Sequence, residues 1–327
     1  MGGRTLVTGA TGFIGSHLVR SLVADGHGVR ALVRPGDARG FGGPDVEVVE
    51  GDVRDARAVG RALRGCSQVF HLASGSHATH DAREHLAVNL GGTRNVAAAS
   101  LAAGVERLVH ASTAGVYGRT RTGPVDEDAP RRPNTHYRAT KHAAERHLEA
   151  RHAADALPVV IARITDTVGA GALSWLGLCR AIATPGFRCI GAGRNVNQLV
   201  HVGDVVDGLR RCAARGVPGR AYLVSGPRAV AVSEIVAWIT EDLGVAAPGR
   251  PLPAAPFAAL DRLGDLLHRT LGVEVPRLQR HAFFVTEKAY DLSRARRELA
   301  FEPRVAPRDG MRETVAWYRE CGLLPSP

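Results

Sequence analysis

Arg4-Thr5-Leu6-Val7-Thr8-Gly9-Ala10-Thr11-Gly12-Phe13-Ile14-Gly15 reads as a short apolar strand, a glycine-punctuated turn and the start of a helical pattern that runs to about Ala24. Strand, glycine turn and helix in that order form the setting in which such spacing holds a dinucleotide. Gly9 permits the tight turn, Gly12 lets the backbone approach a pyrophosphate, and Gly15 lets the helix pack closely on the strand. The free N–H groups and positive end of the helix are suited to phosphates. Thr11, Phe13 and Ile14 lie in the same turn and join the glycines as candidate cofactor contacts.

Working outward, Val29 to Val33 reads as a second strand ending at Arg34. An acid at that place reads the ribose of NAD, whereas an arginine accommodates the 2′-phosphate of NADP. Arg34, with Arg39 behind it, favours NADP(H) and leaves NAD(H) possible. Val46 to Val49 is a third strand, followed by Gly51-Asp52-Val53. Asp52 is placed either to bond the adenine amino group or to cap a helix starting near Arg54. Gln68 to Leu72 is a fourth strand, and the small residues of Leu72-Ala73-Ser74 would let a cofactor pass close.

A long helix from about Ala82 to Ala103 contains Asn89, and a fifth strand, Glu106 to Ala111, runs into Ser112-Thr113-Ala114-Gly115-Val116-Tyr117-Gly118. Pro158 to Ala162 is a sixth, with Arg163 at its end. This alternation predicts an α/β fold, a Rossmann doubly wound parallel sheet with its site at the carboxyl ends of the strands. Residues 1–168 would form the dinucleotide domain, to which the chain returns at about 198–228. Residues 169–197 and 229–327 would form a smaller, mostly helical substrate cap.

Tyr137-Arg138-Ala139-Thr140-Lys141 lies in a helical pattern from about Thr135 to Ala154. A spacing of four puts phenol and ammonium on one face of the helix. A nearby ammonium favours the phenolate and would bring Tyr137 toward neutrality as a general acid/base. A chance surface pair is the alternative, but Lys141 and Lys288 are the only lysines in an arginine-rich chain.

Composition narrows the class. At 327 residues and 45% hydrophobic content, the chain has ample core for one large α/β domain or for two domains. No apolar run reaches the length of a membrane span, and no signal segment precedes Arg4, so the cytoplasm is expected. Five scattered cysteines without a CxxC, and histidines without HExxH, argue against a disulfide frame or a metal site. The net charge of +10 comes from dispersed arginines mixed with acids rather than a basic block, so no nucleic-acid partner is expected.

These features together resemble the extended short-chain dehydrogenase/reductase family: Thr8 to Gly15, Gly51-Asp52-Val53, His71-Leu72-Ala73, Asn89 in Asn-Leu-Gly-Gly-Thr-Arg-Asn, Ser112-Thr113 before Val-Tyr-Gly, and Tyr137/Lys141. Leu199 to Val205 resembles the family's return strand, and Asp291 to Leu299 its C-terminal signature. The resemblance implies that Tyr137 is the general acid/base, that Lys141 tunes it and holds the nicotinamide ribose, and that Thr113 bonds the substrate oxygen. Asn89 would aid a proton relay or satisfy helix backbone groups, and Ile164 would touch the cofactor. A homodimer is expected from the same resemblance.

Departures bear on the substrate. The family's sugar-nucleotide 4,6-dehydratases carry an acidic pair after the threonine, where Ala114 and Gly115 stand here. Its epimerases grip a nucleotide diphosphate with an Asn and an Arg at positions occupied by Asp166 and Asn197, for which Arg194 could compensate. Pro251 to Phe284 reads as an amphipathic helix (about Ala255 to Leu271) and a second from Pro276. It resembles the cap of the 3β-hydroxysteroid-dehydrogenase-like and dihydroflavonol-reductase-like branches, whose pocket is mostly apolar; a dimer or domain interface is the other reading. Ser74, His77, Thr113, Asp166 and Arg194 are the candidate substrate contacts. The expected activity is an NADP(H)-dependent oxidoreductase acting on a small apolar or natural-product-like carbonyl/alcohol. A sugar-nucleotide epimerase or ketoreductase is the alternative, and a non-catalytic dinucleotide sensor is a third.

Overall fold

The structure is a computed structural model that describes residues 3–37, 43, 45–75, 81–120, 123–279 and 281–324. The chain runs β1 Arg4–Thr8, α1 Phe13–Ala24, β2 Val29–Val33, β3 Val46–Glu50, α2 Ala56–Leu63 and β4 Cys66–His71. It continues through α3 Ala82–His85, a π-helical segment Leu86–Gly92, α4 Thr93–Ala103, β5 Arg107–Thr113, α5 His136–Asp155, β6 Val159–Ile164 and β7 Asp166–Val168. Next come α6 Leu176–Ala183, β8 Arg188–Ile190, β9 Val196–Asn197, β10 Leu199–His201, α7 Val202–Arg215 and β11 Ala221–Val224. The remainder is β12 Val230–Ala231, α8 Val232–Leu243, β13 Gly249–Leu252, α9 Ala254–Leu271, α10 Pro276–Gln279, α11 Ala282–Val285 and α12 Pro307–Glu320.

Seven strands form one parallel sheet in the order β11-β6-β5-β4-β1-β2-β3. Alternate side chains point to opposite faces, and both faces are covered, so the strands are apolar at nearly every position. Val7, Val109 and Val160 pack on one side with Leu209 and Tyr222. Their neighbours Leu6, Leu108 and Ile161 pack on the other with Val59 and Leu148. A third core, including Trp175, Ile235, Ile239, Met311 and Tyr318, joins α6, α8 and α12. The order reverses between β1 and β4, whose carboxyl ends make the crevice where such sheets bind ligands.

Four elements depart from the sequence expectation. The helix around Asn89 is interrupted by the π-helical turn Leu86–Gly92, which lets Asn89 turn inward instead of following the α-helical stripe. The fifth strand extends to Thr113, because its register with β6 continues to Thr113↔Ile164. Leu199–His201 pairs with β7 outside the main sheet, and β11 is the strand beside β6. The helix after β3 starts at Ala56 and is capped by Asp55, which accepts from Arg57 N, so Asp52 is not its cap.

Candidate active site

The glycine turn has the geometry its sequence demands. Gly9 sits at φ +69°, and a Cβ there would lie 2.7 Å from Ala73 N. A Cβ on Gly15 would lie 2.0 Å from Gly9 O, so α1 could not reach the strand with any other residue there. Gly12 caps α1 without a side-chain bond, and the first turn holds no acid, leaving its donors to an anionic group. Thr11 is exposed on this turn, with Phe13 and Ile14 half-buried behind it. The cradle fits a pyrophosphate.

A buried chain of hydrogen bonds ties that turn to Asn89. Ala73 N donates to Thr8 Oγ1 at 3.2 Å, Thr8 Oγ1 pairs with His71 Nδ1 at 2.8 Å, and His71 Nε2 pairs with Thr93 Oγ1 at 3.0 Å. Thr93 Oγ1 donates to Asn89 O at 2.6 Å. Because that proton is committed, His71 donates from Nε2 and accepts at Nδ1. Burial, with the Lys141 charge adding to it, pushes His71 down to about 3, so it stays neutral in this chain.

At the ends of β2 and β3, Arg34 is exposed and pairs with Asp37 at 2.7 Å. Asp52 is bound by Arg54, whose Nε and NH2 donate to it at 3.0 and 2.7 Å. Those bonds from Arg54 hold the Asp52 carboxyl below its ordinary range against the effect of burial; the nearby Arg34 charge acts the same way. Val53 is buried beside it and its carbonyl accepts from Asn95 Nδ2 at 2.9 Å. Leu72 N donates to Thr8 O at 3.1 Å, closing β4 onto β1. Arg39 and His77 lie outside the described residues.

The strand ends meet α5, whose first turn is capped by Thr135 accepting from Arg138 N at 3.2 Å. The Tyr137 phenol shares a hydrogen bond with Ser74. Ser74 Oγ donates to Asn89 Oδ1 at 3.1 Å, Gly75 N donates to the same oxygen at 2.9 Å, and Asn89 Nδ2 donates to Thr140 Oγ1 at 3.0 Å. Asn89 thus fastens the loop after β4 to the helix that carries Tyr137. Thr113, half-buried at the end of β5, accepts from Gly115 N at 3.0 Å. Ile164 is buried beside it in register.

Lys141 is fully buried and donates to Ala111 O at 2.5 Å. Burial pulls its ammonium down to about 8, against the opposing charge of Glu145. Burial raises Tyr137 above its ordinary value, and the moderating groups are Ser74 and the Arg138 charge, while Lys141 is turned to the backbone of β5. Glu145, one turn further along the same face, is buried, bonds Ser112 Oγ and is bridged by Arg163 NH2 at 2.8 Å. Its spacing of four from Lys141 was a readable signal that sequence analysis passed over.

Beyond Thr113 lies a charged group of side chains around Asp166. Asp166 accepts from Lys288 Nζ at 2.6 Å and from Asn197 Nδ2 at 2.9 Å. Burial alone would raise that carboxyl, but Lys288 and Asn197 hold it below its ordinary range, with the Arg138 charge adding to them. The Arg138 side chain also packs over Gly115. Lys288 was missed as a site residue because its partner Asp166 is remote in sequence, whereas Arg138 and Glu145 lie on the Tyr137 helix itself. Arg194 is exposed away from this cluster, in a shallow cleft of about 340 Å³ with Ala254, Ala258, Phe284 and Val285.

A Rossmann sheet with this glycine turn, and a Tyr-x-x-x-Lys helix against its carboxyl edge, defines a dinucleotide-dependent oxidoreductase scaffold. Residues 5–225 match the family described as NAD dependent epimerase/dehydratase, and the chain belongs to that family, within the extended short-chain dehydrogenase/reductase enzymes. It is 33% identical to the sterol demethylase protein B of Methylococcus capsulatus, over 98% of this chain and 99% of that one. It is 31% identical to a 4-hydroxy-2-methyl-3-oxo-4-farnesyl-3,4-dihydroquinoline-1-oxide ketoreductase of Stigmatella aurantiaca, over 94% of each chain. Among solved structures it resembles DesIV, a dTDP-glucose 4,6-dehydratase from Streptomyces venezuelae with NAD and TYD bound. The identity is 28%, the TM-score 0.78, and 97% of each chain is covered.

Proposed function

We propose that this enzyme is an NADP(H)-dependent ketoreductase or alcohol dehydrogenase acting on a small, largely apolar or natural-product-like carbonyl/alcohol. The observation that carries the reading is the set Tyr137, Ser74, Asn89, Lys141 and Thr113, gathered at the ends of β4 and β5 beside a glycine turn that fits a pyrophosphate. The named activity of the Stigmatella relative supports a carbonyl substrate.

The turn at Gly9, Gly12 and Gly15 would hold the pyrophosphate, Asp52 would face the adenine, and Arg34 the 2′-phosphate. A nicotinamide dinucleotide supplies the reducing equivalent when bound. Lys141 uses one of its three donors on Ala111 O and has others for the ribose hydroxyls. Thr113 Oγ1 orients the substrate oxygen. Tyr137 delivers the proton to that oxygen: burial keeps its phenol protonated at neutral pH, which suits the reducing direction. Ser74 and Asn89 hold the phenol from behind.

Two features speak against sugar-nucleotide chemistry. Ala114 and Gly115 offer no acid beside Thr113 for eliminating water. Asp166, an acceptor already engaged by Lys288 and Asn197, offers a diphosphate no donor at β7. The test pairs a panel of cyclic and polyketide-like ketones with NADPH and NADH. Tyr137→Phe should lower turnover by about 10²–10⁴-fold while leaving cofactor affinity within a fewfold. Undiminished turnover in that variant would overturn the mechanism, and equal use of NADH would overturn the cofactor preference.

A further inference from the structure

The cap helix α9 is amphipathic with its apolar side turned outward. Leu260, Leu263, Leu266 and Leu271 are 40, 45, 54 and 68% exposed. At 100° per residue they occupy about 140° of one face. All three acids of residues 254–279 point the other way, into the protein. Asp261 is buried against Arg119; Asp265 accepts from Arg119 Nε at 3.0 Å and from Asn134 Nδ2 at 2.7 Å. Glu274 accepts from His136 N at 2.6 Å. Arg262, Arg269 and Arg277 are exposed, and none has an ion pair or hydrogen bond among the described residues.

Water does not reward an arrangement that buries carboxylates and exposes leucines, so the outer face is built to be covered. We infer that α9 docks on the surface of an anionic lipid bilayer, its leucines entering the headgroup boundary and its arginines meeting lipid phosphates. No described helix is long and apolar enough to cross a membrane, so the contact would be interfacial. Charge argues for lipid over a second copy. A twofold pairing of this face on itself would bring arginine borders together with no exposed acid of the segment between them, whereas an anionic surface attracts each of them. Arg262 and Arg269 flank the stripe on one side, where long stems can follow the apolar surface and the heads reach phosphate.

α9 is bonded through Asp265 to Asn134, and the segment after it through Glu274 to His136 N and through Gln279 to Asn134 O, directly before Tyr137. A bilayer under α9 therefore seats the cap beside the catalytic helix and brings the cleft to a source of apolar substrate. Docking goes beyond the catalytic reading and stands without it, since lipid binding is measured apart from turnover.

The test is flotation of the full chain with vesicles of phosphatidylcholine alone and of phosphatidylcholine mixed with phosphatidylserine, at low and high salt. The wild type should float with the mixed vesicles, less with the neutral ones, and less at high salt. Leu263→Asp/Leu266→Asp and Arg262→Glu/Arg269→Glu should each lower vesicle partition by at least about tenfold. Thermal melting should be unchanged in both, because these side chains are exposed. A wild type that stays off mixed vesicles, or a leucine variant that floats as well as wild type, overturns the inference. So does a lipid-free dimer that the leucine variant converts to monomer in sedimentation, which would make a second copy the occupant.

Discussion

Lys288 Nζ stands 2.6 Å from Asp166 Oδ2, and Asn197 completes the site at 2.9 Å. Three segments distant in sequence therefore meet at the first residue of β7, two past the end of β6, the neighbour of the strand that ends in Thr113. Lys288→Met should destabilise the fold by up to about 1 kcal/mol at neutral pH, because it leaves a half-exposed carboxylate with a single amide donor. Asp166→Asn/Lys288→Met should recover most of that loss. The depressed Asp166 pKa contributes stability that is present above the unfolded value and lost as pH falls through the folded one. The destabilisation should therefore shrink below about pH 4, where the carboxyl is protonated. Urea titrations of the four proteins in the cycle, at neutral and acid pH, check both statements.

Gly15→Ala places a methyl carbon 2.0 Å from Gly9 O, a backbone atom with no rotamer to yield. The expected cost is at least about 2 kcal/mol, with dinucleotide affinity reduced more than tenfold as α1 is pushed off the turn. Thermal melting with and without NADPH separates the two effects: the variant should melt lower and gain less from the nucleotide.

Lys141→Met should abolish turnover yet leave the protein as stable or more so. The shift from 10.5 to about 8 corresponds to about 3 kcal/mol of unfavourable burial, partly offset by the bond to Ala111. A folded pKa below the unfolded one means that the unfolded chain binds the extra proton between about pH 8 and 10.5, so this residue makes wild-type stability rise with pH there. The variant should lose that rise. Melting curves across the alkaline range are the measurement.

Asn89→Ala removes three side-chain bonds, to Ser74, Gly75 and Thr140, and leaves the buried Gly75 N–H without its acceptor. Turnover should fall by about 10–100-fold, with a loss of about 2 kcal/mol in stability and cofactor affinity within a fewfold. Single-turnover kinetics and nucleotide titration distinguish this positioning role from direct binding.

Much of the site was legible in one dimension because its requirements are local. Gly9, Gly12 and Gly15 declare backbone geometry by lacking a side chain, and the alternation of strands and helices declares a parallel sheet. Tyr137 and Lys141 declare a shared helix face by their spacing. Local spacing did not decide what each group touches. Lys141 is held by the carbonyl of Ala111, and the charge acting on the phenol belongs to Arg138. Asn89 looked like a helix residue of uncertain use until a π-helical turn aimed it at Ser74 and Thr140.

Sequence alone determined the dinucleotide cradle, the parallel sheet and the phenol–ammonium helix, since each follows from residues within a few positions of one another. Tertiary structure decided the charge partners of Asp166, Glu145 and Lys141, and which side of α9 meets the protein. These depend on segments that come together only when the sheet is assembled. Periodicity marks a helix as two-faced, but only the burial of Asp261 and Asp265 against Arg119 and Asn134 shows that the apolar face of α9 points outward.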